Sequence, residues 1–400
     1  MNDFGNTLRR LRLEKGMSLA NLAKLTNYSK GYLSKVESGV RPASDGIARV
    51  CDGALGTNGQ LLAALADETR TAMANRLPIV MPVGYTASSD QPEDGFRGDL
   101  DDYTAQFWSI FGTLRRMGHT MSPEIVLPMV LANIETVSKV LQSAKAAPTH
   151  GLVLLAARFN EYAGWMAQEA GRDDLFQRLT AEAVRLAIEA GDHELPQFAV
   201  VRQADRALYN GDGRGIVDLT GRVLRCQNIT PRTRSTAWLR QAQGHALLGD
   251  RSSCLRALDS ARESDEADHA ETGVRSLGTT SVGNQVDVTT GWSLVDLCRH
   301  DEAIPVLHKV ISGVSTDSMR SRVRFGVRLA LAYASIGERE QASHLVHAAL
   351  PGLRQVDSDS IRVDLKALAD MLRRRWARDV AVADLLAELR PQLGRSARRG

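Results

Sequence analysis

No two of the four cysteines, Cys51, Cys226, Cys254 and Cys298, form a C-x-x-C pair. That scatter argues against a zinc site and a disulfide framework, and fits a reducing compartment. No run of about eighteen apolar residues occurs, the length a membrane-spanning helix needs. The N-terminus also lacks an apolar signal core. A cytoplasmic protein with no membrane partner is expected.

Catalytic signatures are missing as well. There is no HExxH, no G-x-S-x-G and no Walker G-x-x-x-x-G-K-[ST], and GTTSVG from Gly278 has the wrong spacing for a nucleophile elbow. His193-Glu194 and His300-Asp301-Glu302 fall at helix boundaries, where charged residues cap or solvate. NGDGRG from Asn210 offers too few oxygen ligands before its glycines for a calcium loop. The expectation is therefore no enzyme, no metal and no cofactor. Net charge is only +3, too small by itself to point to nucleic acid.

What the chain does have is an uneven distribution. Residues 1–66 carry nine Lys/Arg against five Asp/Glu and hold four of the eight lysines. Four hundred residues exceed what one core usually serves, so several parts are expected. The periodicity predicts an all-α chain: a five-helix N-terminal domain over 1–74, a linker over 75–103, an α-solenoid of helix pairs over 104–393 and a basic tail over 394–400. Asp90, Glu93, Asp94, Asp99, Asp101 and Asp102 make the linker acidic, and Pro78, Pro82, Gly84 and Pro92 interrupt it. The tail ends in Arg395, Arg398 and Arg399.

The segment SLANLAKLTNYSKGYLSKVESGVRP, Ser18 to Pro42, reads as two short helices at a sharp turn. A helix before it carries Leu8, Leu11 and Leu13 as apolar positions and stops at Gly16. Ser18 caps the second helix, which carries Leu19, Leu22, Ala23 and Leu25. Asn27 suits the turn, Ser29 caps the third helix, Leu33 and Val36 face inward, and Gly39 ends it. Two further helices are expected over about 44–55 and 58–72.

From Asp102 onward, Gly-Asp-type stops recur. Gly171, Gly211, Gly249, Cys298 and Gly337 are separated by 40, 38, 49 and 39 residues. A period near 40 with two helices per unit is the signature of an α-solenoid. The long interval holds the Gly/Ser/Thr-rich stretch Glu263 to Asp287, read as a loop inserted in one repeat. Trp238, Ala242, Gly249, Cys254, Leu258 and Ala261 alternate large and small in a way that suits closely packed helix pairs, as do Ala330, Tyr333, Gly337, Ala342, Val346 and Ala349. Six or seven pairs are expected. The first helix of each pair should line the inner face, with Asn160, Arg202, Gln203, Arg206, Arg240 and Gln241 as polar groups and Trp165 and Trp238 as apolar walls.

The N-terminal residues Arg12, Gly16, Ser18, Leu22, Ala23, Asn27, Ser29, Leu33, Val36, Glu37, Gly39 and Arg41-Pro42 resemble the XRE (Cro/cI-type) helix-turn-helix family. That resemblance implies a third helix laid in the major groove of double-stranded DNA, with Lys30, Gly31 and Lys35 at base edges. Ser18, Ser29, Tyr32, Ser34 and Arg41 would then meet phosphates, and Arg12 and Glu37 would form a partly buried structural ion pair. Leu19 departs from the pattern, which often has a phosphate-touching glutamine there. The combination of YSKGYLSKVESG from Tyr28, CDGALG from Cys51 and AGWMAQEAG from Ala163 is similar to a group of actinobacterial regulators that join such a domain to tetratricopeptide (TPR)-like repeats, and more distantly to peptide-sensing Gram-positive regulators. Those relatives imply a homodimer on a palindromic operator, with a signalling peptide in the concave face. The alternative is a DNA-anchored interaction protein whose repeats hold a protein partner.

Overall fold

A computed structural model of the chain describes residues 3–26, 28–39, 43, 45–57, 59–65, 100–143, 150–266, 276–278 and 283–394. The chain divides into two compact units, Met1–Gln91 and Pro92–Gly400. Among the described residues every regular element is helical, and no helix is long and apolar enough to cross a membrane. The turn residue Asn27, Arg41-Pro42, most of the expected linker and tail residues 395–400 lie outside the described residues.

The N-terminal unit has α1 (Asp3–Glu14), α2 (Leu19–Thr26), α3 (Lys30–Glu37), α4 (Asp45–Leu55) and a helical run over 60–65, α5. Phe4, Leu8 and Leu11 recur at helical spacing and are buried with Leu22, Leu33, Val36, Ile47 and Leu61. Two of the apolar positions in these helices do not join this core. Leu13 is 58% exposed and Leu25 is 60% exposed. A helix turns about 100° per residue, so Leu13 points roughly opposite to Leu11. The inward position near the end of α2 belongs instead to Thr26, whose hydroxyl donates to the Leu22 carbonyl at 2.8 Å. Buried Asp52 caps α5 from a distance, its carboxylate accepting from the amides of Leu61 at 3.0 Å and Leu62 at 3.1 Å.

The second unit consists of α6 (Leu100–Gly118), α7 (Pro123–Ser143), α8 (His150–Glu169), α9 (Asp173–Glu189), α10 (Glu194–Tyr209), α11 (Gly213–Leu224) and α12 (Pro231–Leu247), followed by α13 (Arg251–Glu266), α14 (Gln285–Asp296), α15 (His300–Gly313), α16 (Met319–Ile336), α17 (Arg339–Val356), α18 (Asp359–Arg375) and α19 (Val380–Leu393). These make seven consecutive helix pairs. The first helix starts at Leu100 rather than 104, because Asp101 and Asp102 sit in its first turn. Acidic side chains there favour the positive end of the helix dipole.

The recurring stops all have one geometry. Gly171, Gly211, Gly249, Cys298 and Gly337 have φ of 71°, 70°, 74°, 57° and 97°. At Gly249 the amide reaches the Ala246 carbonyl at 3.0 Å, and the next amide, of Asp250, reaches His245 at 2.9 Å. This is the Schellman closure, which needs a left-handed residue to satisfy the last helical carbonyls. Cys298 makes the same bonds, to Val295 at 3.0 Å and through Arg299 to Leu294 at 2.8 Å. It is the one non-glycine among these five.

The array closes upon itself. Arg320 at the start of α16 donates to the carbonyls of Gly118 at 2.9 Å and Met121 at 2.7 Å, and pairs with Glu169 at the end of α8 at 3.1 Å. Ser358 and Ser360, at the start of α18, also donate to Glu169. The second pair is thereby fastened to the sixth and seventh. Of the stretch read as an inserted loop, 267–275 and 279–282 lie outside the described residues. The part between them is no free loop: Leu277 is buried beside Phe198. Arg115 and Arg232 donate to the carbonyls of Ser276, Gly278 and Leu277.

Candidate nucleic-acid interface and the cavity of the helical array

In the N-terminal unit, inward packing of Leu33 and Val36 leaves the opposite face of α3 to solvent. Lys30, Gly31, Ser34 and Lys35 are exposed on it. Ser29 accepts the Tyr32 amide at 3.1 Å, and Ser18 accepts the Asn21 amide at 3.1 Å. Both helices therefore start at a serine cap, which satisfies one otherwise unpaired amide. Arg12 holds Glu37 in a two-pronged pair, Nε to Oε1 at 2.6 Å and Nη2 to Oε2 at 2.9 Å, and its Nη1 donates to the Met17 carbonyl at 2.8 Å. One side chain thus ties α1, α3 and the turn between α1 and α2, and the Glu37 contact raises the Arg12 pKa. Tyr32 is half-buried, its ring stacked on Tyr28 with centroids 5.2 Å apart. Leu19 packs against the core beside Ala23, an apolar use of the position where the resemblance often has glutamine.

In the second unit a cavity of about 280 Å³ lies inside the closed array. Its apolar walls come from Phe111, Trp165, Phe198, Tyr209 and Trp292. Seven arginines line it (Arg115, Arg158, Arg202, Arg232, Arg240, Arg320 and Arg324) against three carboxylates, Glu161, Asp205 and Asp265. The interior is therefore positive, a field that concentrates anions and repels cations.

Most of these charges are tied down. Arg202 bridges Glu161 at 2.8 Å and Asp205 at 3.3 Å, and Arg240 pairs with Asp205. Arg202 also lies over the rings of Trp165 and Phe198, at 5.7 and 5.1 Å. Arg324 lies 4.6 Å over Trp292 and donates to the Tyr209 hydroxyl, while burial pushes that phenol up to about 12. Burial and the neighbouring Arg115 and Arg320 push His119 down to about 4, so it is neutral near pH 7.

Residues 3–65 match a family described as a helix-turn-helix domain. The chain carries a helix-turn-helix domain. No curated protein matches the chain. One solved structure to which it is similar is Bacillus thuringiensis PlcR in complex with the peptide PapR7 and DNA. The match has 12% identity, covers 88% of this chain and 95% of that one, and has a TM-score of 0.27. So low a score carries no inference about the helical array.

Within the helix-turn-helix domain, Lys30, Gly31, Ser34 and Lys35 share the exposed face, and Arg41 lies outside the described residues. In the array, Trp165, Arg202 and Arg240 line the cavity and the other five expected groove residues do not. Asn160 is buried in α8, its amide donating to the Ala156 carbonyl at 2.9 Å. Arg206 turns to Asp173 and Asn210. Gln203 is exposed, Trp238 packs into the core between α12 and α13, and the buried Gln241 Oε1 has no partner among the described residues. Sequence reasoning missed Arg158, Tyr209, Trp292, Arg320 and Arg324. One signal was available: Arg320 and Arg324 are spaced four apart on the first helix of a pair, as Arg158 and Tyr162 are.

Proposed function

We propose that the chain is a sequence-specific, DNA-binding transcriptional regulator whose helical array dimerises and senses a ligand no larger than a short peptide. The DNA half rests on the helix-turn-helix match and on the solvent-facing Lys30, Gly31 and Lys35 of α3. One such helix makes few base contacts. Two copies on a palindrome, about 34–36 Å apart, would nearly double the binding free energy, less the cost of fixing their geometry.

The sensing half rests on one observation. The cavity is bounded by α6 and α8 on one side and by α14 and α16 on the other, so an occupant touches helices from both sides of the closure. A ligand preferring one curvature would shift the array, by no more than its differential affinity for the two states. A concave cavity with converging polar groups favours a small ligand over the broad open face a protein scaffold would offer.

Lys35→Ala tests the DNA half. It should weaken operator binding by about 1–3 kcal/mol and relax preference at one base position. Equal losses on all sequences would show that the base-reading face lies elsewhere. Light scattering of the chain on its footprinted site tests the dimer: two copies are expected, and one copy on a single half-site would refute it.

A further inference from the structure

Arg158 is the arginine of the cavity that the surrounding packing answers least among the described residues. It lies on α8, flanked by Ala157 and Phe159, is 5% exposed and still lines the cavity. Its neighbours are answered: Arg202 by Glu161 and Asp205, Arg320 by Glu169. Arg158 makes no hydrogen bond and no ion pair among the described residues. A guanidinium carries five donors and does not give up its charge at physiological pH. None of the Arg158 nitrogens is a fully buried orphan, so the guanidinium opens onto the cavity, and with most of the side chain buried its charge is costly to keep without an anion. Burial accordingly lowers its pKa, while Glu161, Asp192 and Glu194 raise it through space without pairing with it. A second, weaker instance is Arg324, whose buried Nε has no partner among the described residues and whose described partner is a hydroxyl, not a carboxylate.

We propose that the cavity binds a compact ligand bearing an oxyanion, carboxylate or phosphate, which pairs with Arg158 and is assisted by Arg324. This rests on the reading of the cavity as a ligand site. A cationic ligand would meet the arginine excess, and a neutral one would leave Arg158 unpaired. The cavity of about 280 Å³ has the room of about nine liquid waters at ~30 Å³ each, so the ligand is small. The indole faces give little room for stacking. Arg202 and Arg320 lie over Trp165, and Arg324 and Arg328 over Trp292. Recognition therefore falls to the charges.

Thermal melting of the full chain tests this, with inorganic phosphate, N-acetylglycine, its neutral amide N-acetylglycinamide, and sodium chloride at matched ionic strength. Phosphate or N-acetylglycine should raise the midpoint by about 2 °C or more beyond the amide and chloride. Which of the two does so separates a phosphate ligand from a peptide-like carboxylate. Arg158→Met should melt at or above the parent without additive and lose the response. Arg158→Lys should fold and respond more weakly, because it lacks the two-pronged fork. A parent that answers neither anion beyond the controls overturns the inference. So does an Arg158→Met chain that unfolds, or one that responds as the parent does. DNA binding read in the same samples separates the two readings. An anion response that depends on Arg158 but leaves DNA affinity unchanged supports the site and refutes the sensing role. An anion-dependent DNA affinity that survives Arg158→Met does the reverse.

Discussion

Arg320 and Glu169, 151 residues apart in the chain, meet at 3.1 Å with 7% and 2% of their side chains exposed. Around this pair two carbonyls and two serine hydroxyls complete the hydrogen bonding. A buried pair is retained at a desolvation cost, and removing one partner exposes that cost in full. Arg320→Ala would leave Glu169 buried with only serine hydroxyls. It should destabilise the array by about 3–5 kcal/mol, measured by denaturant unfolding. A loss under about 1 kcal/mol would show that closure does not depend on the pair.

Gly31 offers a test in which stability and binding separate. A methyl group there meets nothing within 4 Å, and alanine is favoured over glycine in a helix by up to about 1 kcal/mol. Gly31→Ala should therefore melt at or above the parent temperature. If α3 approaches base edges at this point, the added methyl should weaken operator binding. Unchanged DNA affinity would place Gly31 away from the DNA.

His119 gives the array a pH dependence of known sign. Its folded pKa, about 4, lies below the ordinary 6.5. The unfolded chain thus binds the extra proton first as pH falls. Stability from this residue is full above about pH 6.5 and declines steadily toward pH 4. His119→Gln should flatten the pH dependence of the melting temperature across that window. An unaltered slope would assign the acid sensitivity to other groups.

Cys298 stands where the four equivalent turns have glycine, at φ 57°. A side chain in the left-handed region costs on the order of 1–2 kcal/mol, partly offset by the greater freedom glycine has when unfolded. Cys298→Gly should be neutral or stabilising by up to about 1 kcal/mol, and Gly249→Ala should be destabilising by a similar amount. Calorimetry of both reads the pair, and a loss of stability in Cys298→Gly would mean that its side chain contributes to the fold.

Local signals were legible in proportion to how local their physics is. The serine caps at Ser18 and Ser29 and the turns at Gly171 through Gly337 each depend on a few consecutive residues, and the residue types alone pointed to them. Even Cys298 could be placed, because the polar run LCRHDEA marks a stop there although the interval before it is 49 residues. Leu13 and Leu25 show that apolar character alone does not fix facing: both are exposed, as the angular position of Leu13 opposite Leu11 requires. The inner-face residues were harder. A helix in a solenoid has neighbours on several sides, so Asn160 and Trp238, polar and aromatic on first helices, could face either the core or the cavity.

The sequence by itself determined an all-helical chain, a helix-turn-helix segment with its caps, and helix pairs at a period near 40. Each of these follows from spacing within one turn or one repeat. Only the tertiary structure decided that the second pair closes onto the sixth and seventh, that Trp292 rather than Trp238 joins Trp165 in walling the cavity, and that Arg158 has no partner among the described residues. Those outcomes depend on the summed small rotations from one helix pair to the next, which no local pattern encodes.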